Sequence, residues 1–142
     1  MSSIVKFFVA SPSDAAASLT HGPSASLRSV VFGNFDAEEA LLNWESHLTG
    51  STFDELLDRD VPEVFAEDED GPTVFLLSDG LLEELAGITD SRVGEMANWW
   101  AAKTAQDGFP IDALIALQIL EDLVRLIREE RPPGENVYCW TA

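Results

Sequence analysis

Cysteine occurs once in the 142 residues, as Cys139. That excludes an intramolecular disulfide and any cysteine-built metal cluster, and it fits a reducing cytoplasm, the expected compartment. No apolar run approaches the roughly 20 residues that cross a bilayer. Met1 to Ala10 carries a single positive charge, Lys6, so neither a membrane span nor a signal peptide is expected. Basic residues are scarce: 8 Lys plus Arg stand against 26 Asp plus Glu, a net charge of −18. The chain also lacks G-x-x-x-x-G-K-[ST], G-x-G-x-x-G and H-E-x-x-H, and Gly22-Pro23-Ser24-Ala25-Ser26 lacks the closing glycine of a nucleophile elbow. Nucleotide, zinc-protease and hydrolase chemistry thereby lose their motif support, and no cofactor is expected.

The deficit of base is uneven. Residues 1–35 hold Asp14 against Lys6 and Arg28 (+1), residues 36–95 hold 18 acids against Arg59 and Arg92 (−16), and residues 96–142 hold 7 acids against 4 bases (−3). Such a field repels phosphates and anionic lipid, which disfavours direct nucleic-acid or membrane binding, and it steers basic proteins toward the surface. High negative charge also keeps a small protein soluble whether or not it has a partner.

Length and a 46% apolar content suit one globular domain. Ile4–Ala10 alternates in β-branched and aromatic residues and predicts a first strand. Ser11-Pro12-Ser13-Asp14 opens a short helix that ends near His21 and Gly22. Leu27–Phe32 reads as a short strand or buried extended segment. Asp36 with Glu39, and Thr52 with Glu55, have capping-box spacing. The helix after Asp36 carries the stripe Ala37, Ala40, Leu41, Trp44, Leu48, and Gly50 stops it. Pro62 through Glu67-Asp68-Glu69-Asp70-Gly71-Pro72 reads as a solvated loop. Thr73–Leu77 predicts a buried strand, Ser78 or Asp79 a helix start, and Thr89 or Asp90 another. Pro110 to about Arg131 predicts the longest helix, with Leu114, Leu117, Leu120, Val124 and Ile127 inward, widened by Ile115, Ile119 and Leu123. Val137–Thr141 is the final strand, placed beside the first. The order lacks βαβ alternation, so the expected class is α+β, one domain over residues 1–142, with helices on one face of a small mixed or antiparallel sheet.

Candidate sites are few. An EF-hand register on Gly71 puts Ala66 and Leu77 at ligand positions 1 and 12, so no calcium site is expected there. Glu38 with Glu39, Glu83 with Glu84, and Glu129 with Glu130 are adjacent on helices and splay apart, as solvated faces do. Cys139 alternates with Tyr138 and Trp140 as a buried small residue, and His21 follows a helix end. His47 flanks the Trp44 stripe, as an edge residue or as a base beside Glu45 or Asp54. An aromatic pocket from Trp44, His47 and Trp100 is one alternative site. Trp99 lies in line with Arg92, Glu95 and Lys103 on a charged face, where it is either covered by this chain or offered to a partner, a second copy included.

Phe35-Asp36 through His47-Leu48-Thr49-Gly50-Ser51, then Gly71-Pro72 with Phe75-Leu76-Leu77-Ser78, resemble the YfbM-like proteins, a bacterial α+β family of unknown function, over about residues 35–100. Where that family tends to have Trp and His before its Leu-Thr-Gly, this chain has Leu41 and Glu45, and His47 is out of register. The Tyr138-Cys139-Trp140 ending is similar to that of small acidic actinobacterial proteins. These resemblances imply the fold class and no activity. The leading expectation is a non-enzymatic interaction module, of inhibitor or immunity type, that meets a basic protein through its acidic centre, with Glu67, Asp68, Glu69, Asp70 and Trp99 as contact residues. The alternative is a small-molecule domain or weak enzyme with an aromatic pocket near His47.

Overall fold

The computed structural model describes residues 3–142; Met1 and Ser2, which precede the expected first strand Ile4–Ala10, lie outside the described residues. Eleven elements follow one another among these: β1 (Ile4–Ala10), α1 (Pro12–Ala17), β2 (Ser29–Gly33), α2 (Ala37–Thr49), α3 (Phe53–Asp58), β3 (Glu63–Glu67), β4 (Thr73–Leu76), α4 (Asp79–Ala86), α5 (Asp90–Gln106), α6 (Ala113–Arg128) and β5 (Asn136–Thr141). The fold is α+β. The strands form one sheet in the order β2-β1-β5-β4-β3, and every neighbouring pair is antiparallel.

The centre of the sheet joins the first strand to the last. Phe7 pairs with Cys139 and Val9 with Val137. Alternation along both strands sends side chains to two faces. Val5, Phe7, Val9, Val137 and Cys139 enter the main core under α2, α4, α5 and α6. Phe8, Ala10, Tyr138 and Trp140 enter a smaller core with Val74 and Ala15 of α1, flanked by Leu19, Leu27 and Phe65. The four longest helices therefore share one face, and α1 with the following loop covers part of the other. That loop is anchored by the Trp140 indole, whose Nε1 donates to the Leu19 carbonyl at 2.8 Å. Gly22 lies over the same ring in a left-handed conformation (φ +82°), with room only for ordinary contact at 3.5 Å.

Helix starts follow local side-chain chemistry. Asp36, Thr52, Ser78, Thr89 and Asp112 each accept from a backbone N–H of the first turn, and Thr52 with Glu55 completes a capping box. Gly50, at φ +78°, closes α2.

Three sequence expectations need correction. The stretch after Pro62 is not all loop, because Glu63–Glu67 is the edge strand β3 and Phe65 and Ala66 pack on the smaller core. Its alternation is masked by a bulge between Val64 and Ala66 and by acids on the solvent side. Pro110 does not open α6; Asp112 caps it, the helix ends at Arg128, and Leu114 and Ile115 are 77% and 54% exposed. Helix α1 stops at Ala17, with a turn before His21.

The main core centres on aromatics. Trp44 and Trp100 meet edge-to-face at 5.0 Å, Phe35 sits at 5.5 Å from Trp100, and Phe7 at 6.0 Å from Trp44. Trp44 is fully buried. Trp44→Ala is expected to cost about 3–5 kcal/mol of unfolding free energy; chemical denaturation with a two-state fit checks this, and a loss below about 1 kcal/mol would remove Trp44 from the centre of the core.

Candidate functional site

Helices α2 and α5 pack against each other with a polar seam between them. On α2, Glu39, Asn43 and His47 follow at i, i+4 and i+8 and so share one face. At one end of the seam His47 stacks on Trp99, with ring centroids 4.2 Å apart and planes 17° apart. At the other end Glu39 faces Asp107, the residue that caps the end of α5.

A groove of about 540 Å³ opens at the second end. Its polar lining includes Asp36, Glu38, Glu39, Asp107, Asn43 and Thr104, and its apolar lining includes Phe35, Phe75, Trp100 and Phe109. Thr73 of β4 and Thr141 of β5 form its sheet side. Because Thr73 pairs with Glu67, the exposed acidic tip of the β3–β4 hairpin, Glu67 to Asp70, leaves the sheet beside the groove. Two acidic features that are 30 residues apart in sequence thus belong to one end of the molecule.

Electrostatics reinforce this. Burial, followed by the neighbouring Asp107 carboxyl and then Asp36, holds the Glu39 carboxyl above the ordinary 4.5, with Lys103 opposing. Lys103 pairs with Asp107 at 3.5 Å. Among the described residues the other ion pairs are Arg28 with Glu129 at 2.6 Å and Arg125 with Asp122 at 3.4 Å. Further bases hold the fold: Arg59 donates to Ser51 and to the Glu55 carbonyl, and Arg128 donates to the carbonyls of Ala86 and Ile88. Most acids are left without a cationic partner.

Asn43 borders the groove at 1% exposure with its amide nitrogen and oxygen both sealed from solvent, and neither finds a hydrogen-bond partner among the described residues; the same holds for the neighbouring Trp44 Nε1. A buried amide without partners costs about 1–3 kcal/mol. Glu45, two residues on, is buried too but accepts from the Ser78 hydroxyl, which itself caps α4.

The residues of the expected aromatic pocket do not line one cavity. Trp44 and Trp100 are core residues at 0% and 1% exposure, and only Trp100 borders the groove. His47 sits outside it, half-buried against Trp99, and the charges that act on it are Arg92 and Glu95 rather than Glu45 or Asp54. Trp99 is itself half-buried and packs on the main core. Burial raises the Cys139 thiol far above its usual range, which leaves it inert. Asn43 and the Glu39–Asp107 pair carried no sequence signal, since one is a polar residue within an apolar helix and the other joins residues far apart in the chain.

No family model matches the chain, and neither a curated protein nor a solved structure matches it. No helix among the described residues is long and apolar enough to cross a membrane.

Two titrations test this geometry. Desolvation, then Arg92, holds His47 below the ordinary 6.5. Its folded state binds fewer protons than its unfolded state, so it contributes stability above pH 6.5 that is lost as pH falls through the folded value. NMR titration should place His47 below 6.5 and Trp99→Ala should move it back toward 6.5; an unmoved value contradicts the stack. For Glu39 the sign reverses, because its raised value makes ionisation in the fold unfavourable as pH rises above 4.5. Glu39→Gln should therefore melt higher than the parent at pH 7 and match it at pH 4 or below; equal melting at both pH values contradicts the crowding of Glu39 by Asp107.

Proposed function

We propose that this protein is a non-enzymatic interaction module that binds a basic protein partner at the end of the molecule where the groove and the hairpin tip meet. The observation that carries the reading is the convergence of Asp36, Glu38, Glu39 and Asp107 in one groove beside the exposed run Glu67 to Asp70. The −16 held by residues 36–95 supports it, because a concentrated field accelerates encounter with a basic surface far more than scattered charge does. At the groove only Lys103, paired with Asp107, offsets that field, while Arg28 and Arg128 are engaged elsewhere in the fold. An inhibitor or immunity-type role fits a small acidic domain of this kind. The resemblance to the YfbM-like proteins adds no activity to the reading.

Steering of this origin has a kinetic signature. Proteins captured on the immobilised chain from a lysate of its source at low salt should be basic, and their association rate constant should fall steeply between about 50 and 300 mM salt. The combined substitutions Glu67→Gln, Asp68→Asn, Glu69→Gln and Asp70→Asn should slow association several-fold and leave dissociation nearly unchanged. Association that is indifferent to both salt and these substitutions contradicts the reading.

A further inference from the structure

We propose that the free edge of β2 pairs with the same edge of a second copy of the chain, joining two sheets into one across a two-fold axis at Val31. This goes beyond the interaction reading above and does not rest on it. β2 ends the sheet order, with β1 as its one neighbour. The Arg28 carbonyl accepts from the Val9 N–H at 3.0 Å and the Asn34 N–H donates to the Ser3 carbonyl at 3.0 Å, so the even-numbered residues turn their backbone groups toward β1. Ser29, Val31 and Gly33 therefore turn theirs outward, where they have no backbone partner among the described residues. The two edges of the sheet are unlike. β3 carries the bulge between Val64 and Ala66 and the acids Glu63 and Glu67, devices that keep an edge from pairing. β2, Ser29-Val30-Val31-Phe32-Gly33, has no charge, no proline and no bulge. Val31 is 59% exposed, on the sheet face it shares with Ile4, itself 46% exposed.

Charge selects a second copy as the occupant. A chain of −18 repels its own copy over most of its surface, so two copies meet only where that field is weak. Residues 1–35, which contain β2, sum to +1. Lys6 sits opposite Val31 in the register of β1 and β2. On α6, the helix that packs on β1 and β2, Glu129 is met by Arg28 at 2.6 Å and Asp122 by Arg125 at 3.4 Å. A basic strand from another protein would be drawn instead to the acids of residues 36–95. The edge is also complementary to itself. A two-fold axis at Val31 sets Val31 against its own copy and Ser29 against Gly33 of the second chain, an antiparallel register in which the outward residues of each strand exchange all their N–H and C=O groups. Arg28 then arrives opposite Asn34 of the second copy, two residues before Asp36, so the basic end of each strand meets the acidic end of the other.

The strand is short, so the expected dissociation constant is on the order of 10–100 µM. The test is sedimentation equilibrium of the full chain from about 5 µM to about 1 mM, with salt raised from about 50 to about 300 mM. A monomer–dimer equilibrium that tightens with salt is the expected result, because salt screens the repulsion between two acidic chains. Val31→Pro removes the N–H donated at the axis and should weaken the dimer about tenfold or more. Val31→Lys should do the same by setting like charges against each other, and Val31→Thr should retain the dimer. Val31→Cys should form a disulfide-linked dimer on mild oxidation, since that residue faces its own copy at about 5.5 Å between Cα atoms. Ser29→Cys should not, because it faces Gly33; Cys139 is buried and takes no part. A chain that stays monomeric at the highest concentration leaves the edge to an extended segment of a different protein and overturns the second-copy assignment. A dimer indifferent to both Val31→Pro and Val31→Lys lies on another surface and overturns the proposal. Cross-linking at Ser29→Cys as readily as at Val31→Cys overturns the register.

Discussion

Pairing of the first strand with the last is the contact on which the rest of the molecule depends. β1 and β5 occupy the middle of the sheet, and their side chains build both cores: Phe7 and Cys139 above, Phe8 and Tyr138 below. The Phe8 and Tyr138 rings stack at 5.6 Å across the pair. Each flanking strand adds to an edge this pair creates, β2 on one side and β4 on the other. The helices lay part of their apolar stripes on the face this pair builds and the rest on one another.

What was legible in the sequence were features decided by neighbours in the chain. Asp36, Thr52, Ser78 and Thr89 act as caps because each needs only the next three residues to make its bond. The apolar stripe of α2 lies inward as its spacing implied, with Ala37, Leu41, Trp44 and Leu48 buried. The α+β class and the adjacency of β1 and β5 were also readable, since two strongly apolar strands at the chain ends have few other places to go. Sheet order and uniform antiparallel pairing were not, because nothing local distinguishes β4 from β2 as a neighbour of β5.

Edge position explains the losses. β3 is half solvated, bulged and acidic, which protects an edge against pairing with other chains and at the same time erases the alternation that reveals a strand. Leu114 and Ile115 fit the helical period of α6 and still face outward, while Ala116 in the same turn is fully buried. Apolar spacing reports what a helix can bury, and tertiary geometry decides how much of it is buried.

The candidate site was still less visible. Glu39 and Asp107 meet because α2 and α5 lie side by side, a relation of tertiary structure alone, and the hairpin tip joins them through the Thr73 pairing. Within this arrangement the crowded Glu39 carboxyl is a group that a bound cation would relieve. The most direct measurement is calorimetry of basic-partner binding at mildly acidic pH in two buffers of different ionisation enthalpy. Protons released on binding, and fewer in Glu39→Gln, are the predicted result. Binding without proton release, or with equal release in the variant, would contradict a cation seated against Glu39.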